Sequence, residues 1–306
     1  MKKLLILFLL LPALCFAGSI VINPAATTSL KINPSAAKSL NIAPALVFEV
    51  RTTSSPEDFA LPLVTTGSYN FEVDWGDGSN DTITAYNQSE VTHSYTSSGS
   101  YTIKIVGEIY KWSFNNNAYK DMIYDLSSWG SLQFGDEGAN FYGCSNLTVS
   151  APSISTTTSR CTSFRAMFSG ATSANPDVSN WDTSSGTSFR SMFYLATSAT
   201  PDVSNWDTSS CENLYRMFYG ATLANPDVSN WDVSLLTDAF QIFNYSGWTT
   251  TNYDAMLISW SAQSLNSAVT FNAGTTQYSA GAAATAKGVL EGAPNLWVIT
   301  DGGQAP

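Results

Sequence analysis

His93 is the single histidine of the chain, so it is the one side chain whose ordinary pKa suits general-base work near neutral pH. Nucleophilic catalysis needs such a base held beside a serine or cysteine. His93 instead stands in the alternating run Val91-Thr92-His93-Ser94-Tyr95, which predicts a strand residue packed near Tyr95. Carboxylate pairs are more numerous: Asp177 with Asp182, Asp202 with Asp207, Asp227 with Asp232. One pair would suit the acid and base of a glycoside hydrolase. The same pair three times at one interval points to a structural job, since an active site needs no triplicate. Turn and cap hydrogen bonding is that job, because Asp182-Thr183-Ser184 has N-cap chemistry and Asp177 follows a proline turn.

Stacked carboxylates about 5 Å apart repel unless backbone donors or a cation neutralise them. Calcium at these six aspartates is therefore the alternative to backbone satisfaction. Asp74, Asp77 and Asp81, around Trp75-Gly76-Asp77-Gly78, form a second, weaker calcium candidate without EF-hand glycine spacing. No Cys-x-x-Cys or Cys/His cluster has zinc spacing, and no phosphate loop or dinucleotide fingerprint is present. The expectation is a protein without catalytic residues or cofactor, with a carbohydrate-active enzyme as a distant alternative.

Trp181, Trp206 and Trp231 fall 25 residues apart and are the binding candidates. Strict strand alternation from an inward Val178 would point Trp181 outward and build an exposed aromatic strip suited to sugar rings. A turn after Ser179 would bury the same residues, and identical spacing in every unit is what packing requires. Burial is expected, with the glycan-binding ladder as the runner-up.

The elements that must position these residues repeat at 25. The units are CTSFRAMFSGATSANPDVSNWDTSS, GTSFRSMFYLATSATPDVSNWDTSS and CENLYRMFYGATLANPDVSNWDVSL, starting at Cys161, Gly186 and Cys211. Phe164/Met167/Phe168, Phe189/Met192/Phe193 and Leu214/Met217/Phe218 share the i, i+3, i+4 spacing of a short helix face. Asp-Val-Ser-Asn-Trp after each proline reads as a short strand. One such unit cannot bury its own apolar side, but stacked coils can, which predicts a solenoid of the leucine-rich class. Degenerate echoes upstream, around Asp125–Trp129 and Asn140–Cys144, bring the count to about five coils over 109–247. Residues 248–306 read as an α/β cap: a capping box at Thr251-Asn252-Tyr253-Asp254, a helix over 279–290, and strands at 269–271 and 296–299.

Residues 46–108 alternate apolar runs with turn chemistry and predict a small antiparallel β-sandwich. FEVDWGDGS followed by VTHSYTSSGSYTIKI resembles the PKD (polycystic kidney disease) domain, an Ig-like sandwich of extracellular proteins, and the resemblance implies a spacer or interaction module. MFYGATLANPDVSNWDVS resembles the repeat of BspA-like leucine-rich surface proteins. That resemblance extends upstream to VGEIYKWSFNN and FYGCSNLT and downstream to TTNYDAMLISWSAQ and WVITDGG. It implies a secreted or surface-displayed, adhesive protein and supplies no catalytic residue. The fold class expected is thus mixed: a β-sandwich, a solenoid of strand-plus-helix coils, and an α/β cap.

Composition excludes some partners, and the leader points to export. Only 12% of the 306 residues are charged, and 13 Lys+Arg against 24 Asp+Glu give a net charge of −11. Such an acidic chain repels nucleic-acid phosphates and anionic membrane surfaces. Residues 1–17 read as a signal peptide cleaved after Ala17, leaving no stable membrane insertion. The ten-residue repeats over 18–45, punctuated by Pro24, Pro34 and Pro44, read as a stalk or linker. Cys144, Cys161 and Cys211 remain, and the two-coil separation of Cys161 from Cys211 puts them beyond disulfide reach. The function expected is a secreted or cell-surface binding or adhesion protein whose partner is a surface protein or a glycan. A structural appendage component is the alternative.

Overall fold

The computed structural model describes residues 44–154 and 158–306. The leader and nearly all of the ten-residue repeats lie outside the described residues. The first half is built on strands β1 (Leu46–Thr52), β2 (Glu57–Ala60), β3 (Ser68–Asp74), β4 (Asn80–Ile83), β5 (Thr92–Tyr95) and β6 (Gly99–Tyr110). Three more follow: β7 (Ile123–Trp129), β8 (Leu132–Gln133) and β9 (Thr148–Val149). Seven of them form one sheet in the order β4-β3-β6-β1-β7-β9, with β8 beside β6. Its long pairings are antiparallel, whereas β8 and β9 join in parallel, so the sheet runs on past residue 108 into the echo at Asp125–Trp129.

β2 and β5 form a separate antiparallel pair. Alternation explains how the two sheets meet. Phe59 of β2 packs against Phe48 of β1 at 6.2 Å, and Tyr95 of β5 stacks on Tyr101 of β6 at 4.0 Å. Gly107 interrupts β6 at φ 133°, where a Cβ would lie 2.3 Å from the Asn70 carbonyl oxygen, so only glycine lets β3 approach there.

The coils correct the expected fold class. The described residues contain two α-helices, α1 (Thr250–Trp260) and α2 (Ala282–Glu291), and both follow the repeats. No coil carries a helix, and Asp-Val-Ser-Asn-Trp forms a turn rather than a strand, with the Trp181 amide donating to the Val178 carbonyl at 3.1 Å. A helix-bearing leucine-rich solenoid is therefore not what this sequence makes.

The physical reason lies in where the amides go. Phe164, Ala166, Phe168 and Gly170 donate to the carbonyls of Ser188, Arg190, Met192 and Tyr194 in the next coil, at 2.7–2.9 Å. The intervening Met167, Ser169 and Ala171 donate three residues back within their own coil. A helix would send every amide four residues back. Splitting them requires left-handed residues, supplied at Ala166 (φ 53°) and Gly170 (69°), Ser191 (56°) and Leu195 (56°), Arg216 (53°) and Gly220 (69°). Successive three-residue turns place i, i+3 and i+4 inward just as a helix does, which is why the periodicity misled.

Isolated parallel bridges Ser163↔Ser188↔Asn213↔Asp238 run down one side of the coils. They continue into a three-stranded parallel sheet of β10 (Asp238–Ala239), β11 (Thr270–Asn272) and β12 (Val298–Thr300). The cap thus extends the ladder of the repeats by two rungs. The expected capping box is absent: Thr249 is the N-cap of α1 without a side-chain hydrogen bond, and the Asp254 carboxylate accepts from the Ser279 amide instead.

The core of the stack is aromatic. Phe141, Phe168, Phe193, Phe218 and Phe243 stack in sequence at 5.5–5.7 Å with planes within 11°. Trp248 closes the column on Phe243 at 3.7 Å. No helix among the described residues is long and apolar enough to cross a membrane.

Candidate functional site

The tryptophan candidates are core. Trp181, Trp206 and Trp231 are 5%, 4% and 1% exposed, so the strip suited to sugar rings does not exist. The turn after Val178 swings Trp181 inward, and from the second repeat on each indole N–H is used. Trp206 donates to the Val178 carbonyl and Trp231 to that of Val203, both at 3.0 Å. Trp260 of α1 donates to Val228 at 3.0 Å and so takes the same role from a helix. Ser153 stands 25 residues before Val178, and the Trp181 indole has no acceptor among the described residues.

The carboxylates are occupied by their own turns. Asp177, Asp202 and Asp227 accept from the amides of Ser179, Ser204 and Ser229, at 2.9–3.1 Å. Asp182, Asp207 and Asp232 do the same for Ser184, Ser209 and Ser234, at 2.9–3.2 Å. Side-chain bonds from Ser179 and Ser209 hold the carboxyls of Asp177 and Asp207 below their usual range. No group of three or more His, Cys, Asp or Glu side chains placed to hold a metal ion occurs among the described residues.

Around the sandwich-like turn, Asp74 accepts from the Gly76 amide at 3.0 Å and Asp81 from the Trp75 indole at 2.8 Å. Asp77 accepts from the Ser79 amide and hydroxyl at 2.9 and 2.5 Å and meets His93 Nε2 at 2.8 Å. Burial alone would raise the Asp77 carboxyl, but the Ser79 and His93 hydrogen bonds outweigh it and bring it down to about 2. The order Ser79–Asp77–His93 puts the carboxylate in the middle, whereas a triad needs the imidazole there. His93 also lies flat on Trp75 at 4.8 Å, as a packed residue does.

What remains is the outward face of the coils, which sequence reasoning passed over. The large apolar residues that recur in every coil point inward, whereas the recurring Asp177, Asp202 and Asp227 and Asn180, Asn205 and Asn230 are exposed. The positions beside the inward residues differ from coil to coil: Arg165, Arg190, Tyr215, Phe240 in one column; Ala166, Ser191, Arg216, Gln241 in the next; Ser169, Tyr194, Tyr219, Asn244 in a third. The stack brings these together. Arg190 lies 4.3 Å from the Tyr215 ring centroid and Arg216 lies 5.0 Å from it. Tyr194 stacks on Tyr219 at 5.2 Å, and Tyr245, 70% exposed, stands edge-on to Tyr219 at 5.2 Å. The sequence signal was available: these three columns change side chain from coil to coil, while the core positions beside them stay apolar and the turn-forming aspartates recur unchanged.

Residues 136–260 match a family model described as Mycoplasma protein of unknown function, DUF285. The match covers the regular repeats and ends at Trp260, the last indole of the ladder. No curated protein and no solved structure matches the chain.

A shallow hollow of about 360 Å³ is lined by Asn230, Trp231, Asp232, Ser234, Gln263 and Ser264. Gln263 there donates to the Trp231 carbonyl at 2.7 Å and accepts from the Val233 amide at 2.9 Å. Its amide thus ties the segment that follows α1 to the last repeat.

Proposed function

We propose that this is an exported, surface-associated binding protein without catalytic activity, which uses the stacked coils as a rigid frame for an adhesive face. One observation carries the reading: the repeated apolar residues are spent on the core and the repeated aspartates on their own turns, and the residues that vary among coils meet in one outward cluster of arginine and tyrosine. Arginine and tyrosine, with tryptophan, are the side chains enriched where binding energy concentrates. The match of residues 136–260 to the Mycoplasma family supports a surface association, and the leader over 1–17 supports export.

Display of the full chain on a non-adherent bacterium tests this. Such cells should be retained under flow on immobilised extracellular-matrix proteins or glycans when control cells are washed away. No retention on any of these surfaces would remove the adhesive reading, and release of sugars from the immobilised glycans would replace it with an enzymatic one.

A further inference from the structure

Two guanidinium groups, those of Arg190 and Arg216, converge on the single ring of Tyr215 at 4.3 and 5.0 Å. Neither has a carboxylate within ion-pair distance among the described residues, and neither does Arg165 one coil earlier. This is notable in a chain with 24 acidic and 13 basic side chains. Two cations held against one ring with no carboxylate to neutralise them repel, and an anion bound to this cluster relieves that repulsion. Arg216 anchors its Nε on Gln241 at 2.7 Å, which fixes the group and leaves its terminal N–H pair for a ligand. Arg190 lies over the Tyr215 ring, an arrangement that leaves the edge of its fork open.

We propose that this face binds an anionic glycan, a sugar chain bearing sulfate or carboxylate groups, with Arg190 and Arg216 as the anion-binding pair. The inference rests on the binding role above and names its ligand class. Two features favour a glycan over an acidic peptide. An extended peptide presents same-side groups every two residues, about 6.7 Å, which is out of step with coils that advance about 4.8 Å. The face also presents the hydroxyls of Tyr194, Tyr215 and Tyr219, which offer hydrogen bonds that suit sugar hydroxyls.

Binding of the full chain to heparin oligosaccharide, with dextran and polyglutamate as comparison ligands, tests the proposal. Heparin should bind and dextran should not, and the R190Q/R216Q double substitution should weaken heparin binding about tenfold or more at an unchanged melting temperature. R190K retains the charge but loses the planar fork, and it should also bind heparin less tightly while melting like wild type. Failure of the wild type to bind heparin, equal affinity for dextran or polyglutamate, or full heparin affinity in a folded R190K or double variant would each overturn the proposal. Retention of displayed cells that soluble heparin leaves unchanged would overturn the glycan inference alone and leave the binding role standing.

Discussion

Trp206 donates its indole N–H across the coil boundary to the carbonyl oxygen of Val178 at 3.0 Å, so the largest core side chain of one repeat closes a backbone acceptor of the one before it. Its ring also meets Phe164, Phe189 and Trp231 at 5.2–6.4 Å. Trp206→Ala therefore opens a cavity and orphans a buried acceptor together, with an expected loss of about 3–5 kcal/mol. Stacked units share their stability with neighbours, so the coils should loosen together in chemical denaturation rather than one at a time. A variant that unfolds at the wild-type denaturant midpoint would contradict this placement.

Cys144, Cys161 and Cys211 are free, buried thiols. Burial pushes the Cys161 and Cys211 thiols up to about 12 and raises Cys144 further, so each is protonated, and unreactive, at ordinary pH. Native protein at pH 8 should incorporate almost no thiol reagent, and denatured protein should take up three equivalents over 18–306. Rapid labelling of folded protein, or a tryptic peptide linking Cys161 to Cys211, would break the register of the stack.

Acid should weaken the fold over a defined window. The carboxyls of Asp77, Asp177 and Asp207 are held below their unfolded values, Asp77 to about 2. A depressed carboxyl stabilises the fold fully above its unfolded pKa near 3.9 and ceases to do so as pH falls through the folded value. The melting temperature should thus fall as pH drops from about 4 to about 2, and Asp77→Asn should flatten part of that slope. Thermal melts at half-unit pH steps check it, and an unchanged slope in the variant would deny Asp77 its share.

The sequence made some of this legible and hid the rest for physical reasons. Spacing of 25 was enough to place Trp181, Trp206 and Trp231 in one column, and the six aspartates in Asx-type turns, because both follow from residue identity over a few positions. Backbone conformation was not readable from the triads, since helix and successive turns bury the same i, i+3, i+4 residues. The decisive mark is the left-handed pair, which the sequence shows as Gly170 and Gly220 but disguises as Leu195 in the coil between. The Arg190–Tyr215–Arg216 cluster was hidden for another reason: its members come from different coils, and Arg216 stands one column away from Arg165 and Arg190.

Those left-handed positions allow a paired test of the coil backbone. Ala166 sits at φ 53° and Gly170 at φ 69° in the same coil. A side chain in the left-handed region costs about 1–2 kcal/mol, whereas glycine adopts it freely. Ala166→Gly removes that cost for the loss of one half-buried methyl group, and it should stabilise the protein by about 0.5–1 kcal/mol even after the added freedom of the unfolded chain. Gly170→Ala should do the reverse. A Cβ built there finds no atom closer than the Gly143 Cα at 3.7 Å, so its penalty of about 1 kcal/mol would come from conformation and not from a clash. Urea denaturation of both variants measures the two signs. Were the coils helical at these residues, the signs would invert, because Ala166→Gly would weaken a helix and Gly170→Ala would strengthen one.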